Sequence, residues 1–284
     1  MNTLTIARFT IQEAISRRLI LAGAILSLAF LGLFALAFYL IYQNDNELSG
    51  PLSNAQTQAM FGTVMSVLGL YAINFLAGFL ALFLSVGAIS SEIDSGALHA
   101  ILARPLRRAE FVVGRWLAYA GLIGVYVGLM AGMLLLSAWL ISGYTTPDPV
   151  RATLLMMLAS IVLLTLSLLG STVLSTLANG VVVFSLFGLA WLAGIIEVIG
   201  GALSNDAMLN IGTAVSLLIP SDAVWRGASY YVLSPLYLVR LRSTADGLPF
   251  VGNSPPATAL VLWALIYPLV MLGAAVLTFS HRDL

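Results

Sequence analysis

The chain has 284 residues, 60% of them hydrophobic and only 8% charged, where a soluble domain carries roughly 25% charged residues; it is built for a membrane. Arg+Lys and Asp+Glu each number 12, so the formal net charge is zero and nothing in the bulk charge points to nucleic acid. There is no cysteine, which excludes disulfides, iron–sulfur clusters and thiolate metal sites. All the basic residues are arginine, so the chain lacks the lysine that a Walker A phosphate loop requires.

Residues 4–18 form an amphipathic arm, with Ile11, Ala14 and Ile15 opposite Glu13, Arg17 and Arg18. Such a stretch predicts a helix lying flat on the cytoplasmic face. The first predicted span, 19–42, is too long for the 7–15-residue apolar core of a cleavable signal and matches the ~20 residues that cross a bilayer. Five more spans are predicted at 58–89, 115–141, 153–176, 181–203 and 257–279. The second is over-long and predicts a tilted helix or one that runs out of the bilayer. Turn signals between spans fall at Asn44-Asp45-Asn46, Thr146-Pro147-Asp148-Pro149, Asn179-Gly180 and Ser254-Pro255-Pro256. The expected fold class is therefore an all-α integral membrane protein, a single domain over 1–284.

Within the spans, four features stand out. Asn74 lies deep in the second, where an amide either bonds to a neighbouring helix or lines a polar route. Gly124, Gly128 and Gly132 make two overlapping GxxxG steps in the third, a flat strip that lets another helix approach closely; packing within the chain is the simpler use, a dimer seam the other. Ser167, Ser171 and Ser175 recur every four residues in the fourth, beside Thr165, Thr172 and Thr176. Hydroxyls so placed commonly bond to their own helix. Glu197 is the only acid inside a predicted span, and intramembrane acids face protein or water. It reads either as a substrate-path group or as an interfacial acid paired with an arginine such as Arg226.

Orientation follows from arginine placement. With the N-terminus inside, the cytoplasm receives Arg8, Arg17, Arg18, Arg104, Arg107, Arg108, Arg115 and Arg282, and the outside Arg151, Arg226, Arg240 and Arg242. That predicts both termini in the cytoplasm. Segment 204–256 then lies outside. Its apolar stretch 207–219 is too short to span. Trp225, Tyr230, Tyr231 and Tyr237 mixed with Arg226 and Arg240 predict a helix or helix pair at, or dipping into, the outer interface, rather than a seventh span.

The most informative segment is the polar island 90–114. Glu92 and Asp94 come first, then Gly96, then Leu98, Ile101 and Leu102 at helical i, i+3, i+4 spacing. The early acids suit a helix N-terminus and Pro105 ends the helix. Arg104, Arg107 and Arg108 follow, and Gly114-Arg115 opens the third span. This is a short cytoplasmic helix with an apolar stripe and nothing in its own loop to cover it. The positive-inside rule accounts for the arginines but not for the acids, the glycine or the stripe.

That order resembles the cytoplasmic coupling loop of ABC transporter permeases of the type-two export class, with arginine at 115 where lysine is usual. The amphipathic arm, the six-span layout and the charged tail His281-Arg282-Asp283-Leu284 extend the resemblance over most of the chain, which looks closest to the copper-enzyme-maturation-type permease branch. The resemblance implies a plasma-membrane permease subunit of an exporter. It would pair with a second permease copy, identical or related, and with an ABC ATPase subunit that carries the ATP and magnesium; this chain would bind no cofactor itself. ATPase docking would fall to Glu92, Asp94, Gly96, Leu98, Ile101, Leu102, Arg104, Pro105, Arg107 and Arg108. The resemblance also implies short re-entrant helices between the last two spans. Two other classes are weighed against it. A secondary transporter should show several intramembrane ionisable groups, and Glu197 alone qualifies. An intramembrane enzyme needs a constellation of His, Asp or metal ligands within the spans, which the predicted spans lack. A non-transporting membrane scaffold stays open on sequence.

Overall fold

The computed structural model describes residues 3–16, 18–48, 55–94, 108–243 and 250–282. Gly96, Leu98, Ile101, Leu102, Arg104, Pro105 and Arg107 lie outside the described residues. Among those described, the chain is all-helical: α1 (Thr3–Ser16), α2 (Arg18–Leu48), α3 (Ala55–Ser85), α4 (Ser90–Asp94), α5 (Arg108–Ser142), α6 (Pro149–Val173), α7 (Thr176–Ala202), α8 (Asp206–Leu218), α9 (Ser221–Tyr230), α10 (Pro235–Ser243) and α11 (Thr258–Ser280). Six of the described stretches are long and apolar enough to cross a membrane: Ala22–Asn44, Gln58–Ile93, Arg108–Ser142, Pro149–Val173, Thr176–Ala202 and Thr258–Ser280.

α6 is the hub. It packs against α3, α5, α9 and α11, and Met156, Val162, Leu164, Thr165, Ser167 and Leu168 on it are almost completely buried. Its start follows from local sequence: Asp148 is the N-cap and accepts from the Arg151 N–H at 3.1 Å, with Pro149 in the first turn. α2 is the opposite case. Leu26, Leu33 and Leu40 are each more than half exposed, a surface that suits lipid rather than water.

The α3 helix stops at Ser85, turns through 86–89 and resumes as α4, so the over-long second span is interrupted by a turn near its end. The fourth and fifth spans meet in a turn of two residues, Leu174 and Ser175, and Ser175 caps α7. The turn expected at Asn179-Gly180 is not there; both residues are inside α7. Asn179 is fully buried and its amide donates to the Val86 carbonyl at 2.9 Å and the Ser167 carbonyl at 2.8 Å. Its side chain occupies the space where a Cβ on Gly170 would sit, 2.0 Å from the amide oxygen. A residue that favours turns in water is here a cross-link between α3, α6 and α7.

Segment 204–256 folds as α8, α9 and α10. At ~1.5 Å per residue, neither α8 nor α9 reaches across a ~30 Å hydrocarbon layer. The two meet at 103°, a bend shared by re-entrant pairs and by broken spans. α8 lies on α7 and α9 packs against α6; Trp225 and Ala228 on α9 are fully buried. The aromatic stretch 224–241 is thus split between α9 and α10 at 231–234 and does not form one span.

Candidate functional site

Among the described residues, two polar clusters interrupt the apolar packing, one at each end of the bundle. The first forms around Arg115, 4% exposed. A buried cation is tolerable only when paired. The Arg115 guanidinium donates to the Glu92 carboxylate on α4, has Glu13 of α1 4.0 Å away, and lies 4.6 Å from the Phe111 ring centroid. Three elements that are separate in sequence therefore share one charge. Gly114, the preceding residue, makes room for this. A Cβ there would stand 2.9 Å from the Ile6 side chain and 3.0 Å from the Thr3 carbonyl oxygen, so α1 lies against α5 only because residue 114 has no side chain. On the other side of α4, Ser90 and Thr176 hydroxyls meet at 2.7 Å, which ties α4 to the start of α7.

Arg108, at the start of α5, engages the other end of the same rim. Its guanidinium donates to the carbonyls of Phe279 (3.2 Å), Ser280 (3.1 Å) and Arg282 (2.7 Å), at the end of α11. Arg282 in turn donates to the Thr172 carbonyl at 2.6 Å, in the last turn of α6. Of the docking residues expected from sequence, Glu92 and Arg108 are thus held inside this chain, Asp94 is the last described residue of α4, and the others fall outside the described residues.

The second cluster lies under α9. Arg226 donates to Glu197 of α7 at 2.6 Å and to Asp222 of its own helix at 3.1 Å. Asp222 is outside the six spans yet almost wholly enclosed. Burial pushes its carboxyl up to about 7, against the pull of Arg226 and with a smaller push from Glu197. A small cleft opens beside it, lined by Tyr71, Asn74, Ser160, Trp191, Ser221 and Asp222 among others. Of the two substrate-path candidates, Asn74 lines this cleft with Asp222, while Glu197 is paired with Arg226 and does not line it. Tyr71 accepts a hydrogen bond from Trp191 and stacks on Phe250, 4.2 Å between centroids. Asp222 was not singled out in the sequence. The signal was available: an acid four residues before Arg226 shares its helix face.

The other two motifs resolve as follows. Among the described residues, a Cβ on Gly128 would meet Met157 of α6 at 3.1 Å, while Gly124 and Gly132 have nothing within 4 Å. Of the stripe hydroxyls on α6, Ser171 and Thr172 donate to the Leu168 and Leu169 carbonyls, and Thr165 donates to the Ile161 carbonyl and accepts from the Trp116 indole of α5, while the buried Ser167 hydroxyl has no hydrogen-bond partner among the described residues.

A family model described as ABC-2 family transporter protein matches residues 4–284. No curated protein matches the chain.

Proposed function

We propose, from the premise that the chain belongs to the ABC-2 transporter family, that it is the permease subunit of an exporter driven by a separate ATPase through the cytoplasmic segment 91–103. The chain has no lysine for a phosphate loop, so ATP and Mg²⁺ belong to the partner, and two permease copies with two ATPases would make the working unit in the plasma membrane. Both termini would face the cytoplasm.

The observation that carries this reading is the Arg115 node. A coupling loop must do more than contact an ATPase; its displacement has to reach the spans. Glu92, at the entry of the segment, is bonded to Arg115 at the head of α5, and the same arginine has Glu13 of the arm beside it. A push on the segment is thereby a push on α5 and α1. The apolar stripe of Leu98, Ile101 and Leu102 supplies the grip, because burial of each large side chain in a partner groove is worth roughly 1.5–3 kcal/mol. Arg104 and Arg107 would meet the rim of that groove, and Gly96 would allow close backbone approach.

The test is the double variant Leu98→Asp, Leu102→Asp. It should insert normally and lose co-purification of an ATPase subunit. Full co-purification with the double variant would place docking elsewhere, on the N-terminal arm first of all.

A further inference from the structure

We infer that Arg108 and Arg282 form a tether that carries displacement of the coupling segment to the last span and to α6, and that Arg108 is a positioning residue rather than a docking contact. This rests on the permease reading above and extends it to how the far end of the segment is held.

The argument starts from helix ends. The last four carbonyls of an α-helix have no partner within the helix, and the partial negative charge there favours a cation. α11 ends at Ser280 and α6 at Val173. Arg108 meets the first of these ends with hydrogen bonds to the Phe279 and Ser280 carbonyls, continues to the Arg282 carbonyl, and places its guanidinium carbon 6.0 Å from the Phe279 ring centroid. Arg282 meets the second end through the Thr172 carbonyl. Two arginines thus join the cytoplasmic ends of α5, α11 and α6 in series. Phe279 is fully buried and its ring stacks on Phe111 of α5, 6.0 Å between centroids, so the joint is packed as well as charged.

Arg108 is the first described residue of α5, with Glu110 two residues on. Preference for the cytoplasm explains a positive charge on this side of the membrane. It does not explain one guanidinium reaching three carbonyls 171 to 174 residues away. Arg115 and Arg108 both belong to α5, so its head is bonded to Glu92 of α4 on one side and to the end of α11 on the other. Displacement arriving at the head of α5 would then reach α1 through Arg115 and Glu13, and α11 and, through Arg282, α6 by way of Arg108. Rigid elements that shift together are how such displacements travel.

The chain has no cysteine, so two introduced cysteines give a clean spin-label pair. Thr278 near the end of α11 and Leu177 at the start of α7 are exposed, and Leu177 is outside the arginine series. The distance between labels is measured by pulsed electron resonance in the complex with its co-purifying ATPase, without nucleotide and with ATP plus vanadate. The parent pair should change distance. Arg108→Gln and Arg282→Gln should retain the ATPase in full amount and lose the change, and Arg108→Lys, which keeps a cation with several donors, should recover it. A merely stabilising cap would lower the melting temperature of Arg108→Gln and leave the distance change intact, and that result overturns the inference. So does an unchanged distance in the parent pair. Loss of the ATPase from Arg108→Gln would make Arg108 a docking contact. A complex from which no ATPase co-purifies, even with the parent chain, overturns the permease reading itself and the tether with it.

Discussion

Arg226 donates to Glu197 across 2.6 Å while holding Asp222 at 3.1 Å on its other side, so one cation stands between two acids where α7 meets α9. Removing the shared cation leaves two carboxylates facing each other; removing Glu197 leaves Arg226 still paired with Asp222. The costs should differ accordingly. Breaking a buried pair from one side costs about 3–5 kcal/mol, and since the Glu197 side chain is 28% exposed, about 2–3 kcal/mol is expected for Arg226→Leu. Glu197→Leu should cost about 1 kcal/mol and impair transport. Thermal unfolding in detergent measures the first pair of values; an Arg226→Leu protein as stable as the parent would show that the cluster holds nothing together.

The same cluster predicts a pH dependence. The Asp222 carboxyl is raised from 3.8 to about 7, chiefly by burial. The folded chain therefore keeps a proton that the unfolded chain releases. Stability from this group is complete below pH ~4, falls as pH rises towards ~7, and levels off above. Asp222→Asn cannot ionise and should flatten that part of the profile, gaining on the parent most at pH 7 and above. Identical pH profiles for the two proteins would mean that Asp222 is solvated.

What could be read in advance depended on how far each relation reaches along the chain. The six spans were legible because a bilayer-length apolar run is a local property. The pairing of Glu197 with Arg226 was legible as one of two readings, since a lone intramembrane acid needs a nearby cation. Asp222 was not, because an acid in a segment read as lying at the outer interface looks solvated until α8 and α9 fold back and enclose it. The Asn179-Gly180 turn was misplaced for a similar reason. Nothing nearby in sequence shows that the Val86 and Ser167 carbonyls will satisfy Asn179 inside a helix. Ser175, the observed cap, had been read as a member of a hydroxyl stripe. The Arg108 contacts join residues too far apart for any spacing rule to find.

The glycines of α5 should separate by neighbour. Gly114→Val places side-chain atoms into Ile6 and the Thr3 carbonyl and should cost about 1–3 kcal/mol, with α1 released from α5. A cysteine at Ala7, buried in the parent, would then react with maleimide. Gly132→Ala meets nothing within 4 Å in this chain and should raise stability by about 1 kcal/mol through helix propensity. If Gly132→Ala instead splits the assembled complex, the strip is a seam with the second permease copy.

The last prediction concerns topology, on which both the tether and the coupling segment depend. Arginines are more numerous on the side that holds 90–114 and the two termini, which predicts that this side faces the cytoplasm. The same orientation puts the N-cap of α6 and the start of α8 outside, and the ends of α6 and α11 inside. Single cysteines in this cysteine-free chain report each directly. Asp148→Cys and Asp206→Cys should react with a membrane-impermeant maleimide in intact cells. Ser95→Cys and Ser280→Cys should react only after the membrane is opened. Ser280 is exposed on α11, so its protection in intact cells would come from the membrane and not from packing. Labelling of Ser280→Cys from outside would invert the molecule. It would put Arg108, Arg282 and the Arg115 node on the face where no ATPase is available to move them.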